Sequence, residues 1–164
     1  MTGVILQINI SRGGIPKLSV PEGVLTPLGI EGGGHAHPQI HGGPEKAVLL
    51  ITLEGIEDLI ARGYPLYPGA MGENLTIAGL DRRQLRLGQQ LRAGRGMIEI
   101  TRPRGPCAGL DVYGSTLQNE IYDAQVKAGD PSSPRWGLSG FYARVLEPGV
   151  IRPNDIISVA ATLA

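Results

Sequence analysis

The single cysteine of the chain, Cys107, closes the run Thr101-Arg102-Pro103-Arg104-Gly105-Pro106-Cys107. Two prolines stiffen this run and two arginines make it cationic. Positive charge beside a thiol favours the thiolate, which is both a nucleophile and a soft metal ligand. The alternative is a small, buried, apolar cysteine, the ordinary state of a free thiol. Such polar neighbours are uncommon around a core position. All three histidines fall within His35-Ala36-His37-Pro38-Gln39-Ile40-His41. In a strand, residues two apart share a face, so His35 and His37 could ligate one zinc, iron, nickel or copper ion, with His41 folding back. Pro38 interrupts the cluster and Glu31 is the only acid close by. The other reading is a polar, glycine-rich loop whose histidines hydrogen-bond.

Two further segments could bind ligands. In His41-Gly42-Gly43-Pro44-Glu45-Lys46, adjacent glycines let backbone N–H groups approach an anion, and Lys46 adds a point charge. The same glycines also read as a plain turn into a strand at Ala47. Met71-Gly72-Glu73-Asn74-Leu75-Thr76 sets a carboxylate and an amide between a glycine turn and a strand. Either group could orient a polar ligand, or bond to its own turn. The chain has no Walker phosphate loop and no G-x-G-x-x-G fingerprint. No Ser-His-Asp set is evident.

The elements that must position these residues are short. Val4–Ile10 reads as an opening strand, broken by Gly13-Gly14, with a second extended piece at Leu18–Val20. From Gly29 to Gly43 the chain reads as a loop or a pair of short strands. Ala47–Ile51 is a continuous apolar run, hence a buried strand. Thr52 can cap a helix over Leu53 to Arg62 that presents Leu53, Ile56, Leu59 and Ile60 on one face and stops at Gly63. Leu75–Ile77 and Gln90–Arg92 read as strands around a turn at Gly88. Gly96–Ile100 alternates as a strand leading into the cysteine run. Leu117–Ala128 has helical spacing and ends at Gly129-Asp130-Pro131. Gly140–Leu146 and Ile156–Val159 read as a closing pair of strands.

The chain of 164 residues suits a single domain, and no linker divides it. Twenty-five glycines and thirteen prolines separate many short apolar runs, which points to a mainly β sandwich or barrel. Fifteen basic residues balance fifteen acidic ones without long blocks of one sign, and aromatic residues are scarce. Both facts argue against a nucleic-acid partner. No apolar stretch approaches the roughly 18 residues of a membrane span, and the N-terminal residues lack a secretory pattern. One cysteine permits no internal disulfide, which suits a cytoplasmic setting.

Taken in order, these motifs resemble the MOSC domain, named for the C-terminal part of molybdenum-cofactor sulfurases, and most closely its small stand-alone bacterial members. The resemblance runs from about Val4 to Val159. It rests on Gly13-Gly14-Ile15-Pro16-Lys17, on His41-Gly42-Gly43-Pro44 leading into Lys46-Ala47-Val48, and on Pro68 to Thr76 with Gly79-Leu80-Asp81 following. Thr101 to Cys107 is its decisive piece. Gly140 to Leu146 and Pro153-Asn154-Asp155 complete it. Relatives show a Gly-Asp pair ahead of the histidine segment; here the chain reads Gly32-Gly33-Gly34-His35.

The resemblance implies a β-barrel with a few peripheral helices and a molybdenum pterin cofactor (Mo-molybdopterin). It implies that Cys107 either ligates molybdenum or carries sulfur as a persulfide. It also implies reduction of N-hydroxylated compounds. Arg102 and Arg104 would lower the thiol pKa or hold a phosphate, and Asn74 would contact the pterin or phosphate. His41 and Lys46 would line the pocket and supply protons, with Gly42 and Gly43 shaping its backbone. The implied partners are a small-molecule substrate and a separate electron-donating reductase. On the carrier reading, the reductase is replaced by a sulfur-donating desulfurase. A hydrolase built on the three histidines is the third possibility.

Overall fold

The computed structural model describes residues 1–11, 13–33 and 42–160. Seven strands close on themselves: β1 (Thr2–Ile10), β5 (Val48–Thr52), β6 (Leu75–Ala78), β7 (Gln90–Ala93), β8 (Gly96–Pro103), β9 (Phe141–Glu147) and β11 (Ile156–Val159). Their order is β11-β7-β8-β9-β5-β6-β1, and β1 pairs back onto β11 to complete the ring. β2 (Leu18–Val20) extends β1 at the edge. A separate small sheet holds β10 (Gly149–Ile151), β3 (Gly23–Thr26) and β4 (Gly29–Ile30). The architecture is therefore mainly β and barrel-like, as the glycine- and proline-punctuated pattern predicts.

Side-chain alternation explains the barrel wall. Along β1, Ile5 and Ile8 are fully buried while Val4 and Leu6 face out. A register shift opposite β6, between Ile5 and Gln7, puts Ile8 on the same core face as Ile5, and Asn9, buried on the other face, donates to the Thr76 hydroxyl at 3.2 Å. β5 is buried at every position because one face lines the barrel and the other meets a second core. That second core lies outside the barrel and joins Ile51 to Ile56, Leu59, Met71, Leu110 and Leu117. β5 and β6 are the parallel pair, and α1 (Leu53–Ala61) crosses between them. Thr52 caps α1 by accepting from the Gly55 N–H at 3.2 Å.

Four expectations need correction. The helical spacing over Leu117–Ala128 resolves into two pieces, α2 (Leu117–Ile121) and α3 (Ala124–Lys127). Tyr122 is extended, and the Asp123 carboxylate accepts from the Val126 N–H at 2.8 Å, so a new cap starts a new helix. β9 and β11 are not partners: β9 pairs with β8 and β5, whereas β11 pairs with β7 and β1. Ile60 is exposed, because only Ile56 and Leu59 of the proposed face reach the second core. The small sheet of β10, β3 and β4 was not foreseen as a sheet, since its strands are too short to carry a period.

Among the described residues no helix is long and apolar enough to cross a membrane. The buried cap of α1 yields a direct test. Thr52→Ala should lower the unfolding free energy by about 1 kcal/mol, and Thr52→Ser should recover most of it, as read by urea denaturation.

Candidate functional site

The site is built where β8 runs out. A register shift between Ile100 and Arg102 leaves Thr101 without a direct partner on β9, and sets Arg102 opposite Tyr142. Bulges of this kind re-aim side chains at the end of a ladder. The Thr101 hydroxyl bonds the Tyr142 carbonyl at 3.2 Å and the Glu45 carbonyl at 2.6 Å. That second bond pulls in the 3-10 turn Pro44–Lys46, which Gly43 enters with a φ of 96°. Lys46 then lies over the Tyr142 ring, 5.3 Å from its centroid.

Arg104 turns the opposite way, into the protein, and is 4% exposed. Its guanidinium donates to the Met71 carbonyl at 2.9 Å and to the Ser139 carbonyl at 3.5 Å. Its backbone N–H bonds the Gly140 carbonyl at 2.9 Å. Gly140 has a φ of 92°, and a Cβ there would stand 2.8 Å from the Leu50 carbonyl oxygen, so only glycine fits. Nε of Arg104 and the Ser139 hydroxyl have no hydrogen-bond partner among the described residues.

Near Arg104 lie a buried acid, Glu73, and a half-buried amine, Lys17. Glu73 is fully buried, accepts from the Thr76 hydroxyl at 3.1 Å, and leaves Oε1 unpartnered. Burial raises its pKa, opposed by backbone and Thr76 hydrogen bonds and by the charge of Arg104. Lys17 donates to the Gly72 carbonyl at 2.8 Å. Burial first, and the Arg104 charge second, lower its pKa to about 8, while Glu73 acts the other way. The Lys17 turn is held by its own N–H on the Gly69 carbonyl. Gly69 has a φ of 93°, and a Cβ on it would lie 2.4 Å from the Lys17 carbonyl oxygen.

Cys107 is half-buried and precedes the 3-10 turn Ala108–Tyr113. Its sulfur and Ile15 border the same point: a Cβ on Gly109 would be 3.5 Å from Cys107 Sγ and 3.9 Å from Ile15 Cδ1. The Lys17 turn and the cysteine turn are therefore neighbours. Tyr142 links them to β9. Burial raises its pKa, with the charge of Cys107 adding and Arg104 and Arg102 opposing. Beside this point opens a groove of about 570 Å³ lined by Lys46, Thr101, Arg102, Pro103, Gly105, Tyr122, Lys127 and Tyr142.

The structure thus brings Cys107, Arg102, Arg104 and Lys46 to one region. Gly42 and Gly43 lead into it. Asn74 sits beneath, with both ends of its amide on main chain: Oδ1 accepts from the Leu49 N–H at 3.0 Å, and Nδ2 donates to the Asn9 carbonyl at 3.3 Å. His35, His37 and His41 lie outside the described residues. Reasoning from sequence missed Lys17 as a site residue, and also Tyr122, Lys127 and Tyr142. Only the Gly-Gly-Ile-Pro turn before Lys17 offered a signal. The others arrive from α2, α3 and β9 with nothing local to mark them.

The buried carboxyl carries a stability signature. Because the folded state holds the Glu73 proton to higher pH than the unfolded chain, its contribution falls as pH climbs above the ordinary value of 4.5. Glu73→Gln should remove that part of the fall. Denaturant titrations at about pH 5 and about pH 7 should then show a smaller loss of stability in the variant than in the wild type.

The MOSC domain family model matches residues 37–158. The chain is 34% identical to the uncharacterized protein YflK of Bacillus subtilis over 127 residues, covering 76% of this chain and 52% of that protein. It is 34% identical over 105 residues to the protein YiiM of Escherichia coli, covering 60% and 46% of the two chains. The chain thus spans about half the length of these two relatives. The crystal structure of YiiM from Geobacillus stearothermophilus superposes with a TM-score of 0.71 at 26% identity, covering 97% of this chain and 75% of that one. The YuaD protein of Bacillus subtilis, at 16% identity and the same TM-score, shares the fold over 96% of this chain and 94% of its own. With the barrel, the cysteine run and the family match in agreement, the chain belongs to the MOSC domain family.

Proposed function

We propose that this protein binds a molybdenum pterin cofactor and reduces N-hydroxylated compounds, with Cys107 as the protein's ligand to the metal. One observation carries the reading: the half-buried Cys107 thiol neighbours the Ile15–Lys17 turn, and Tyr142 lies within reach of Cys107, Arg104 and Arg102 alike, while the nearby acid Glu73 is biased toward its neutral form. The unpartnered Nε of Arg104 marks unused donor capacity there. Such a cradle suits a group that joins a thiophilic metal to an anionic tail. Among the described residues no three His, Cys, Asp or Glu side chains converge on a metal position. A lone thiolate suits a metal that brings most of its own ligands.

In this reading Arg104, Lys17 and Arg102 hold the anionic parts of the cofactor. Gly42, Gly43 and Lys46 line its approach, and Asn74 pins β1 to the start of β5 underneath. When bound, the cofactor would supply the redox centre, and electrons would come from a separate reductase. Reductive cleavage of an N–O bond consumes protons. Lys17, with its pKa near 8, carries a proton at neutral pH and can release it. The Tyr142 hydroxyl, kept protonated by burial, can donate a hydrogen bond to a bound oxygen. The family resemblance would add His41, which lies outside the described residues, as a further proton donor.

The deciding measurement is molybdenum and pterin content of the wild type and of Cys107→Ser, both made in cells that synthesise the cofactor. Near-stoichiometric molybdenum, lost in the variant, is the expected result. Full metal content in Cys107→Ser would overturn the ligand assignment. No molybdenum in either would shift the function to sulfur transfer, seen as a sulfur adduct on Cys107 after exposure to a desulfurase. Turnover should also fall as pH rises through about 8, when Lys17 loses its proton. Lys17→Arg should abolish that inflection.

A further inference from the structure

Four successive carbonyls of one turn each hold a different part of the site. The Gly69 carbonyl accepts from the Lys17 backbone N–H at 2.9 Å, and the Met71 carbonyl from the Arg104 guanidinium at 2.9 Å. The Gly72 carbonyl accepts from the Lys17 ammonium at 2.8 Å. Between them, the Ala70 carbonyl accepts from the Tyr113 hydroxyl at 2.7 Å. Lys17 and Arg104 have roles in the function proposed above; Tyr113 has none there. The turn is itself well anchored, since Ala70 and Met71 are buried members of the second core. Gly69 and Gly72 bracket it with φ of 93° and 88°, which lets the chain reverse sharply enough to fan its carbonyls apart.

Tyr113 ends the 3-10 turn that Cys107 opens. Six residues are long for such a turn, whose hydrogen bonds are poorly aligned, so it depends on anchors outside itself. The Cys107 side chain provides no cap at its start. Leu110, fully buried in the second core, anchors the middle, and its N–H donates to the Cys107 carbonyl at 3.1 Å. Tyr113 anchors the end, with its ring against the second core and its hydroxyl on Ala70. Burial first, then the neighbouring Tyr67 hydroxyl and the charge of Glu73, raise the Tyr113 pKa to about 12, so the hydroxyl remains a donor throughout the neutral range.

The geometry points to Tyr113 as the positioning residue of the thiol: its hydroxyl fixes the turn carrying Cys107 to the same row of carbonyls that fixes Lys17 and Arg104. The thiol and the two cations thereby share one frame of reference. The inference rests on the proposed function only for the thiol's part as metal ligand, and the fixing of the turn is testable on metal-free protein.

Tyr113→Phe keeps the ring and deletes the hydroxyl. Tyr64→Phe is the matched control: its ring also packs against the second core, and its hydroxyl pairs with the Thr116 hydroxyl at 2.8 Å, away from the carbonyl turn. Cys107 is the chain's only thiol, so labelling with dithionitrobenzoate, a bulky aromatic disulfide, reads it alone. The thiol is half-buried, and a bulky reagent reaches it when the turn opens. Loss of one hydrogen bond should make opening, and hence labelling at neutral pH, about fivefold faster in Tyr113→Phe. Hydrogen exchange at the Leu110 amide should accelerate by the same factor. Tyr64→Phe should leave both rates within about twofold of wild type. In cofactor-loaded protein, Tyr113→Phe should lower kcat and leave KM unchanged, because the hydroxyl holds the cysteine turn and does not line the groove.

Unchanged labelling and exchange in Tyr113→Phe would overturn the inference. Equal acceleration in Tyr64→Phe would do the same, since the second core as a whole would then have loosened. Faster Leu110 exchange with unchanged labelling would also overturn it, because the thiol would not be following the turn, as would a change in KM without one in kcat. A protein that takes up no molybdenum overturns the proposed function alone, and the labelling ratio still decides the role of Tyr113.

Discussion

The guanidinium of Arg104 is the group around which the site is organised. A cation taken out of water must be solvated by the protein or it destabilises the fold. Here the solvation comes from loops distant in sequence: the Met71 carbonyl, the Ser139 carbonyl and, at longer range, the carboxyl of Glu73. Lys17 lies in the same field, where the Arg104 charge disfavours and Glu73 favours its protonated form. Burying one charge at the end of β8 thereby ties the Lys17 turn, the Gly69–Asn74 turn and the start of β9 to the segment bearing Cys107. The cysteine has few bonds of its own; its place follows from its neighbours.

The barrel supplies the rigidity that this arrangement needs. β8 is paired along both edges, with β7 and β9, and its register shift at Thr101 sends successive side chains to different tasks. Thr101 ties down the turn carrying Lys46, Arg102 faces the groove, and Arg104 enters the interior. A regular strand would have put Arg102 and Arg104 on one face. The departure from regularity separates an outward cation from an inward one. Placing functional residues on the end of a well-packed strand keeps them precise while the adjoining turns remain free to shape the opening.

Glu73 and Lys17 show how the same field sets proton positions. Each has its ionised form disfavoured by burial; Glu73 partly restores the charge of Lys17, and Arg104 that of Glu73. Burial therefore favours the neutral form of both groups, holding the Glu73 proton to higher pH and releasing that of Lys17 at lower pH than in exposed groups. That bias works against full neutralisation of the Arg104 charge by Glu73. The Arg104 charge has the same sign as those lining the groove at the end of β8, Lys46, Arg102 and Lys127.

Much of this was legible without coordinates. The strands at Val4–Ile10, Ala47–Ile51, Leu75–Ile77 and Gly96–Ile100 are local patterns of apolar and β-branched residues, and they lie where their periodicity puts them. Thr52 and Gly63 bound α1 through capping chemistry that needs only neighbouring residues. The cysteine run marked itself by composition. Strand partners were not legible, because pairing is decided by barrel closure: β9 and β11 follow one another in the chain yet stand apart in the ring. The division of labour between Arg102 and Arg104 depends on a register shift against β9, which has no local signature. Long-range packing sets the Lys17 turn next to the cysteine turn and brings Tyr122 and Lys127 to the groove at the end of β8. Sequence alone determined the longer barrel strands and set the single thiol beside two arginines; tertiary structure decided which charges are buried, since desolvation depends on everything that surrounds a group.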